Sequence, residues 1–334
     1  MGWFSSSPKK PKKVASKYYP AFTEELPDLT DQVICITGCT SGTGLVAAKT
    51  VASKGAAAVI MLNRASDRAT AAEQAVKDVA ADNCTVETVS CDLQSFESVK
   101  QAAATIQAKY PAVDVLMNNA GVMALDDYAT TDGYDVQMQT NHLSHFLLTR
   151  ELMPALTKAS ELRGSARVVN HSSLARLGKP FDAKYLEKKG GNLGGNGSFL
   201  FTGANWDRYH QSKLSNAVFT LGLADKLKAA NSKVIATVAA PGFAATNLQT
   251  TSTGMGGVTM GIFNSFAQSG EDGTMPLLSA SFLPCESGAF WEPSLWSKSV
   301  GPAKEYPLEK VCVDEVARKM LWEKSEEACG KFEV

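Results

Sequence analysis

Short apolar runs recur along this chain, each closed by glycine, asparagine or aspartate and each followed by a longer stretch with helical spacing. The runs are Val33–Ile36, Ala57–Leu62, Thr85–Val89, Val113–Met117, Arg167–Asn170 and Val234–Val238. Helical stretches fill the gaps, from Leu45 to Ala52, Arg68 to Ala81, Ser95 to Tyr110, Asp135 to Ser160 and Trp206 to about Ala230. Ser95 is placed to cap its helix and Pro111 to end it. Such alternation, at crossover length, predicts an α/β fold with a doubly wound parallel sheet and right-handed connections. Further on, Glu271-Asp272-Gly273 opens another helix, Gly288–Trp291 has the character of a last strand, and Val311–Cys329 reads as an amphipathic C-terminal helix. Residues 31–334 are expected to form one domain. Residues 1–30 are expected to be a basic, disordered tail.

In a sheet of this kind ligands bind beyond the carboxyl ends of the strands, so the chemistry is sought there. After Val33–Ile36 comes Thr37-Gly38-Cys39-Thr40-Ser41-Gly42-Thr43-Gly44. Strand, glycine turn and helix together suit a pyrophosphate: the glycines allow close backbone approach, and the first helical amides point at the anion. A plain β–α connection would use the same glycines. The second strand ends in Asn63-Arg64, where an NAD-binding fold places an acid for the ribose 2′-hydroxyl. The arginine instead suits a 2′-phosphate, which favours NADP over NAD; a surface arginine with no ligand is the competing reading. Asp92-Leu93, Asn119-Ala120-Gly121, Ser173 and Pro241-Gly242 fall at the ends of later strands. Tyr209 and Lys213 lie one turn apart on one helical face.

Composition narrows the field. The chain has 334 residues, 44% hydrophobic, and a net charge of −1, which gives no global bias toward nucleic acid. No apolar run approaches the ~18 residues that span a membrane. The seven cysteines form no C-x-x-C pair and suit reduced thiols, with Cys35 and Cys39 expected to be buried as small apolar residues. Four scattered histidines offer no metal site. Near the N-terminus, Lys9, Lys10, Lys12 and Lys13 fit a solvated tail, an import-like signal or a patch for an anionic membrane, and Met1-Gly2 with Ser6 also fits a myristoylation pattern. The expected location is the cytoplasm or the periphery of an intracellular membrane.

Taken together, Thr37-Gly38-x-x-x-Gly42-x-Gly44, Asp92, Asn118-Asn119-Ala120-Gly121, Asn141, Ser173, Tyr209-x-x-x-Lys213 and Pro241-Gly242 resemble the short-chain dehydrogenase/reductase family over about residues 32–293. Thr140–Thr149 and Val168–Ser173 are similar to its retinol dehydrogenase branch, which is related to the WW-domain oxidoreductases and to light-dependent protochlorophyllide reductase. The chain departs from that branch in Ser144, where glycine is usual, and from the family's usual spacing in a long gap between Ser173 and Tyr209, which this branch often lengthens. The resemblance implies a Rossmann-like sheet, NADP(H), and interconversion of a carbonyl and an alcohol. Tyr209 would be the general acid/base, Lys213 would lower its pKa and hold the ribose, Ser173 would bond the reacting oxygen, and Asn141 would hold a water in a proton relay. Gly38, Thr40, Ser41, Gly42, Thr43, Gly44, Arg64, Asp92, Leu93, Asn119, Ala120, Gly121, Pro241, Gly242 and Thr246 would line the cofactor site. A homodimer through the long helices carrying Asn141 and Tyr209 is also implied.

The substrate loop is expected at about 246–278, where Met255, Met260, Phe263 and Phe266 suit either a lipophilic substrate or ordinary core packing. Gly190–Gly197 is glycine-rich and reads as a mobile surface loop, a candidate lid. Two other readings stand beside an alcohol/carbonyl oxidoreductase: light-dependent reduction of the protochlorophyllide kind, and a dinucleotide sensor or scaffold without turnover.

Overall fold

The computed structural model describes residues 14–189, 192–198, 201–244 and 267–334. Thr246, the four aromatic and methionine side chains expected in the substrate loop, Gly190, Gly191 and the lysines at 9–13 lie outside them. Eight strands form one sheet: β1 (Val33–Thr37), β2 (Ala58–Asn63), β3 (Thr85–Ser90), β4 (Val115–Asn118), β5 (Ala166–His171), β6 (Val234–Ala239), β7 (Phe290–Leu295) and β8 (Val300–Tyr306). Their order is β3-β2-β1-β4-β5-β6-β7-β8. Every neighbouring pair is parallel except β7 and β8, which form an antiparallel hairpin with Phe290 opposite Tyr306.

Parallel strands covered on both faces read as near-continuous apolar runs, and β1, β2 and β4 do until each closes on a buried polar residue, Thr37, Asn63 or Asn118. Alternate side chains then serve opposite layers. Cys35, Ile60 and Leu62 enter one core with α4 (Phe96–Lys109), α6 (Ser144–Arg163) and α7 (Ala204–Ala229). Ile34, Ile36, Val59 and Met61 enter the other with α2 (Gly42–Ser53), α3 (Asp67–Lys77) and α8 (Gly270–Phe282). Strand order reverses between β1 and β4, so the turns after these strands diverge and open a crevice at their carboxyl ends. Among the described residues no helix is long and apolar enough to cross a membrane.

Three features differ from the pattern expected of the sequence. The stretch Asp135–Ser160 is not one regular helix: α5 (Val136–Met138) passes through a π turn, Gln139–Leu143, before α6 begins. Ser144 stands where the helix resumes and donates to the Leu93 carbonyl at 2.6 Å, a bond the usual glycine could not make. The second difference is the edge strand β8, whose exposed polar positions give no apolar run. Third, the expected disordered tail does not extend to residue 30. From Val14 onward the chain is packed, with α1 (Tyr19–Glu25) lying against α8 and with Leu26 and Leu29 buried. Asp272, in the first turn of α8, accepts from the Ser16 hydroxyl and the amides of Lys17, Tyr18 and Tyr19 at 2.8 to 2.9 Å, which holds its carboxyl below the usual range.

The C-terminal helix α9 (Glu315–Cys329) begins at Asp314, which caps Ala317. It lies on α6 and α7, where Phe146, Phe219, Trp322 and Phe332 form a ring cluster with centroids 5.3 to 6.0 Å apart. α9 thereby occupies a face of the two long helices through which a homodimer was expected.

Leu29 tests the packing of the N-terminal segment. Its truncation, Leu29→Ala, should cost about 2–5 kcal/mol, the usual range for a buried leucine. The measurement is the urea midpoint, and an unchanged midpoint would mean that the segment is a free tail after all.

Candidate functional site

The glycine turn after β1 is built around Asn119. Its amide nitrogen donates to the carbonyls of Thr37 (2.8 Å) and Gly38 (3.3 Å), and its oxygen accepts from the Thr43 hydroxyl at 2.9 Å. Gly38 has φ +74°, and a Cβ on Gly44 would fall 2.3 Å from the Gly38 carbonyl and 2.4 Å from the Asn119 nitrogen. These glycines are therefore required by the turn's own closure, before any ligand is considered. The same Asn119 oxygen lies 3.0 Å from His171 Nδ1 at the end of β5. Because the oxygen can only accept, Nδ1 carries the proton, and the buried Nε2 is left without a partner.

A cavity of about 780 Å³ opens over these strand ends. Of the residues expected at a cofactor or reaction site, Gly38, Thr40, Ser41, Gly42, Thr43, Arg64, Asp92, Leu93, Asn119, Ala120, Gly121, Ser173, Tyr209, Lys213, Pro241 and Gly242 line it. Gly44 lies inside the turn and Asn141 behind Gly121, whose Cβ would come within 3.2 Å of both Asn141 Oδ1 and Lys213 Nζ. The Asn141 side chain is spent on protein: it accepts from the Val122 amide at 2.7 Å and donates to the Val122 carbonyl (2.9 Å) and the Ser212 hydroxyl (2.8 Å). Its main-chain carbonyl is met by His145 Nδ1 at 3.0 Å. The other imidazole nitrogen lies 2.9 Å from the Thr37 hydroxyl, which already accepts from the amides of Asn119 and Ala120 and so has its own proton to give. His145 is thus fixed as the Nδ1–H tautomer and ties the π turn to the end of β1.

Several lining residues were missed in the sequence. Arg68 stands four residues after Arg64, and both are exposed on the same rim, a spacing that would have revealed it. Asn63, another lining residue, accepts from the Cys39 amide at 2.7 Å, while its own amide nitrogen is buried without a partner. On the far side Met123, Phe201, Trp206, His210 and Phe243 form a largely apolar wall. The rings of Phe201 and Trp206 meet edge-on at 5.0 Å, and those of Trp206 and Tyr209 at 5.8 Å. Nothing in a single sequence marks these positions, because the wall comes from the long stretch that runs from Ser173 into α7 and from two other segments.

Tyr209 and Lys213 are both buried. Burial pushes the Tyr209 phenol up to about 12, opposed by its hydrogen bond with Ser173. The expected lowering by Lys213 is not seen. Desolvation pulls the Lys213 ammonium down to about 8, and it donates to the His171 carbonyl at 3.0 Å. Removing water penalises the charged form of each group, so each moves toward neutrality. Ser173 also accepts from the Ala175 amide at 3.2 Å, capping the short helical turn Leu174–Leu177.

The glycine-rich stretch is not a loose loop over its described part. Asp127 accepts the amides of Leu193 (2.7 Å) and Gly195 (2.8 Å), and its own amide donates to Asn196 Oδ1 at 2.6 Å.

Comparison with known proteins places the chain in a family. Residues 32–191 match the family described as short chain dehydrogenase. Human retinol dehydrogenase 13 is 31% identical over 318 residues, 90% of this chain and 85% of that protein. An uncharacterized oxidoreductase of Schizosaccharomyces pombe is 35% identical over 206 residues, 61% of this chain and 58% of its own length. A crystal structure of an uncharacterized protein from Mycobacterium paratuberculosis superposes with a TM-score of 0.73 at 30% identity, covering 93% of this chain and 98% of that one.

The buried imidazoles set a pH dependence. His142, His145 and His171 are held neutral by burial, at about 3, about 4 and about 3 against an ordinary 6.5, and His210 shifts the same way. As pH falls through 6.5 the unfolded chain takes up protons that the folded chain refuses, so stability present above 6.5 is lost. Asp135, pushed up to about 6 by burial, works in the opposite sense, one group against four. The urea midpoint should therefore fall between about pH 7.5 and about pH 5, and His145→Gln should reduce that slope. A flat profile for both proteins would contradict buried neutral imidazoles.

Proposed function

Because the chain belongs to the short-chain dehydrogenase/reductase family of nicotinamide-dependent oxidoreductases, we propose that it interconverts a carbonyl and an alcohol on a lipophilic small molecule, with NADP(H) as its cofactor. The observation that carries this reading is the convergence of Tyr209, Ser173 and Lys213 on the cavity that also contains the glycine turn and Arg64.

The residues present fit a dinucleotide. Gly38 and Gly44 leave the turn no room for side chains, the N-terminus of α2 opens into the cavity, and Asn63, whose buried amide nitrogen has no partner, also lines it. Arg64 and Arg68, both exposed on the rim, suit the extra phosphate of NADP(H), where a guanidinium fork can bond two oxygens. Asp92 and Leu93 line the same cavity and suit the adenine side. Pro241 and Gly242 line it too; Gly242 has φ +64° and packs so close to Ser299 that a Cβ would fall 2.3 Å from the Ser299 carbonyl.

When bound, the cofactor supplies or accepts the hydride; the protein handles the proton. Tyr209 would give its phenolic proton to the carbonyl oxygen as that oxygen gains charge, or take it back from the alcohol. A phenol pushed up to about 12 by burial is protonated near neutrality and so has that proton to give. Ser173, which lines the cavity with Tyr209, would hold the same substrate oxygen. Lys213 would bind the nicotinamide ribose, and a water held at the Asn141 carbonyl, which accepts from His145 and keeps a second lone pair, would link Lys213 to a proton source. The apolar wall of Met123, Phe201, Trp206 and Phe243 supports a lipophilic substrate, as does the likeness to a retinol dehydrogenase.

Two measurements test this. In a binding titration, Arg64→Ala should weaken NADPH by about 10- to 100-fold, the worth of one charge-assisted hydrogen bond, and leave NADH unchanged; equal affinities for both cofactors in both proteins would remove the 2′-phosphate role. Tyr209→Phe should lower turnover of a retinoid or long-chain aldehyde by at least ~100-fold while retaining NADPH binding. Wild-type protein that binds NADPH but reduces nothing in a broad carbonyl panel would favour a sensor over an enzyme.

A further inference from the structure

Arg208 precedes Tyr209 in α7, and its guanidinium has no exposure to solvent at all. Two buried carboxylates face it, Asp135 at 3.3 Å from Nε and Asp127 at 3.7 Å from Nη1. The remaining donors reach main-chain carbonyls of two separate segments: Nη1 reaches Gly195 (2.9 Å) and Leu193 (3.4 Å), and Nη2 reaches Leu125 (2.9 Å). Asp127 closes the circuit by accepting the amides of Leu193 and Gly195. Nε faces Asp135 as an ion pair without a hydrogen bond, while both terminal nitrogens are bonded; a desolvated cation is tolerated when its charge is paired in this way. The glycine-rich stretch has few side chains with which to pack, so it is held by its backbone instead. The planar five-donor fork of arginine is the side chain suited to bridging several carbonyls at once.

What is held there leads to the substrate side of the cavity. The Gly197 carbonyl accepts from the Asn205 amide at 3.1 Å, and Gly203 approaches so closely that a Cβ would lie 2.5 Å from the Gly197 oxygen. Ser198 accepts from the Trp206 indole nitrogen at 3.1 Å, and Phe201 packs edge-on against Trp206, which in turn packs against Tyr209. Leu125, Phe201, Trp206 and Tyr209 all line the cavity.

We propose that Arg208 is a positioning residue for the substrate: by tying the 125–127 and 192–198 segments together it fixes the aromatic wall of Phe201 and Trp206 beside Tyr209, and with it the preference for bulky apolar carbonyl compounds over small ones. This rests on the carbonyl reduction proposed above. Arg208 touches neither cofactor nor reacting atoms; it acts through the wall.

The experiment compares wild type with Arg208→Gln, Arg208→Lys and Asp127→Asn in the full chain. Steady-state reduction of a long-chain aldehyde and of propanal is measured at saturating NADPH, alongside amide hydrogen exchange at Leu193 and Gly195. In Arg208→Gln and Asp127→Asn, KM for the long-chain aldehyde should rise about tenfold or more, the range for losing an apolar contact, while kcat stays within about threefold and propanal is unaffected. Exchange at both amides should quicken, and Arg208→Lys should fall between wild type and Arg208→Gln. Equal effects on both aldehydes, a loss confined to kcat, or unchanged kinetics would overturn the proposal. If Arg208→Gln is recovered unfolded, Asp127→Asn decides by the same criteria. If wild type reduces neither aldehyde, the functional reading fails separately, and exchange decides for the clamp: faster exchange with unchanged NADPH affinity supports it, and unchanged exchange overturns it.

Discussion

The hydrogen bonds of the Asn119 side chain are the constraint from which the rest of the site follows. Its amide closes the turn after β1 through Thr37 and Gly38, and its oxygen reaches forward to Thr43 at the start of α2 and across to His171 at the end of β5. One side chain therefore sets the spacing of three strand ends. Once Asn119 orients His171, the His171 carbonyl accepts from Lys213 and from Asn216 (2.9 Å), which fixes α7 against the sheet. Tyr209 takes its place one turn earlier on that helix. The glycines are needed mainly because Asn119 lies so near; the room they leave for a dinucleotide is a consequence of the same crowding.

A second theme is how much polarity this interior carries. Buried imidazoles, carboxylates, amides and guanidiniums surround the site, and the charges are paired or the groups are held neutral. Arg176 is as buried as Arg208; it bonds Glu292 at 3.0 Å and Glu309, and its guanidinium lies 4.3 Å from the centroid of the Phe290 ring. It joins the short turn after Ser173 to the β7–β8 hairpin. The two arginines brace the two flanks of the cavity, one behind each segment that follows a reaction-site strand. Such networks are poor sources of net stability but strong specifiers of a single arrangement when every donor is answered.

Strand ends were the legible part of this site. Apolar runs closed by glycine, asparagine or aspartate located β1 to β6; spacing placed Tyr209 and Lys213 on one helical face, and the family resemblance gave the pair its expected role. Residues 14–30 were misjudged because neighbouring lysines dominate their composition, although Tyr19, Phe22, Leu26 and Leu29 recur at three- and four-residue intervals that suit one packed face. The π turn was invisible, since a shift in hydrogen-bond register leaves no trace in residue type. β8 was hidden for the opposite reason: an antiparallel edge strand open to solvent needs few apolar side chains. Arg208 could not have been singled out, because burial of a cation depends on Asp127 and Asp135, which are distant in sequence and reveal their role only once folded.

The stapling of the glycine turn to β4 has a bearing on the life of the protein in the cell. Thr37 and Asn119 are 82 residues apart in sequence, so the dinucleotide cleft does not exist until β1 and β4 have paired and β5 has docked beside them. A cofactor that binds there recognises the finished fold and nothing earlier. At a free concentration about a hundred times its dissociation constant it would add about 2.7 kcal/mol to the native state. The cellular supply of reduced dinucleotide would then act on abundance as well as turnover, sparing saturated molecules from proteolysis and leaving empty ones to be degraded first.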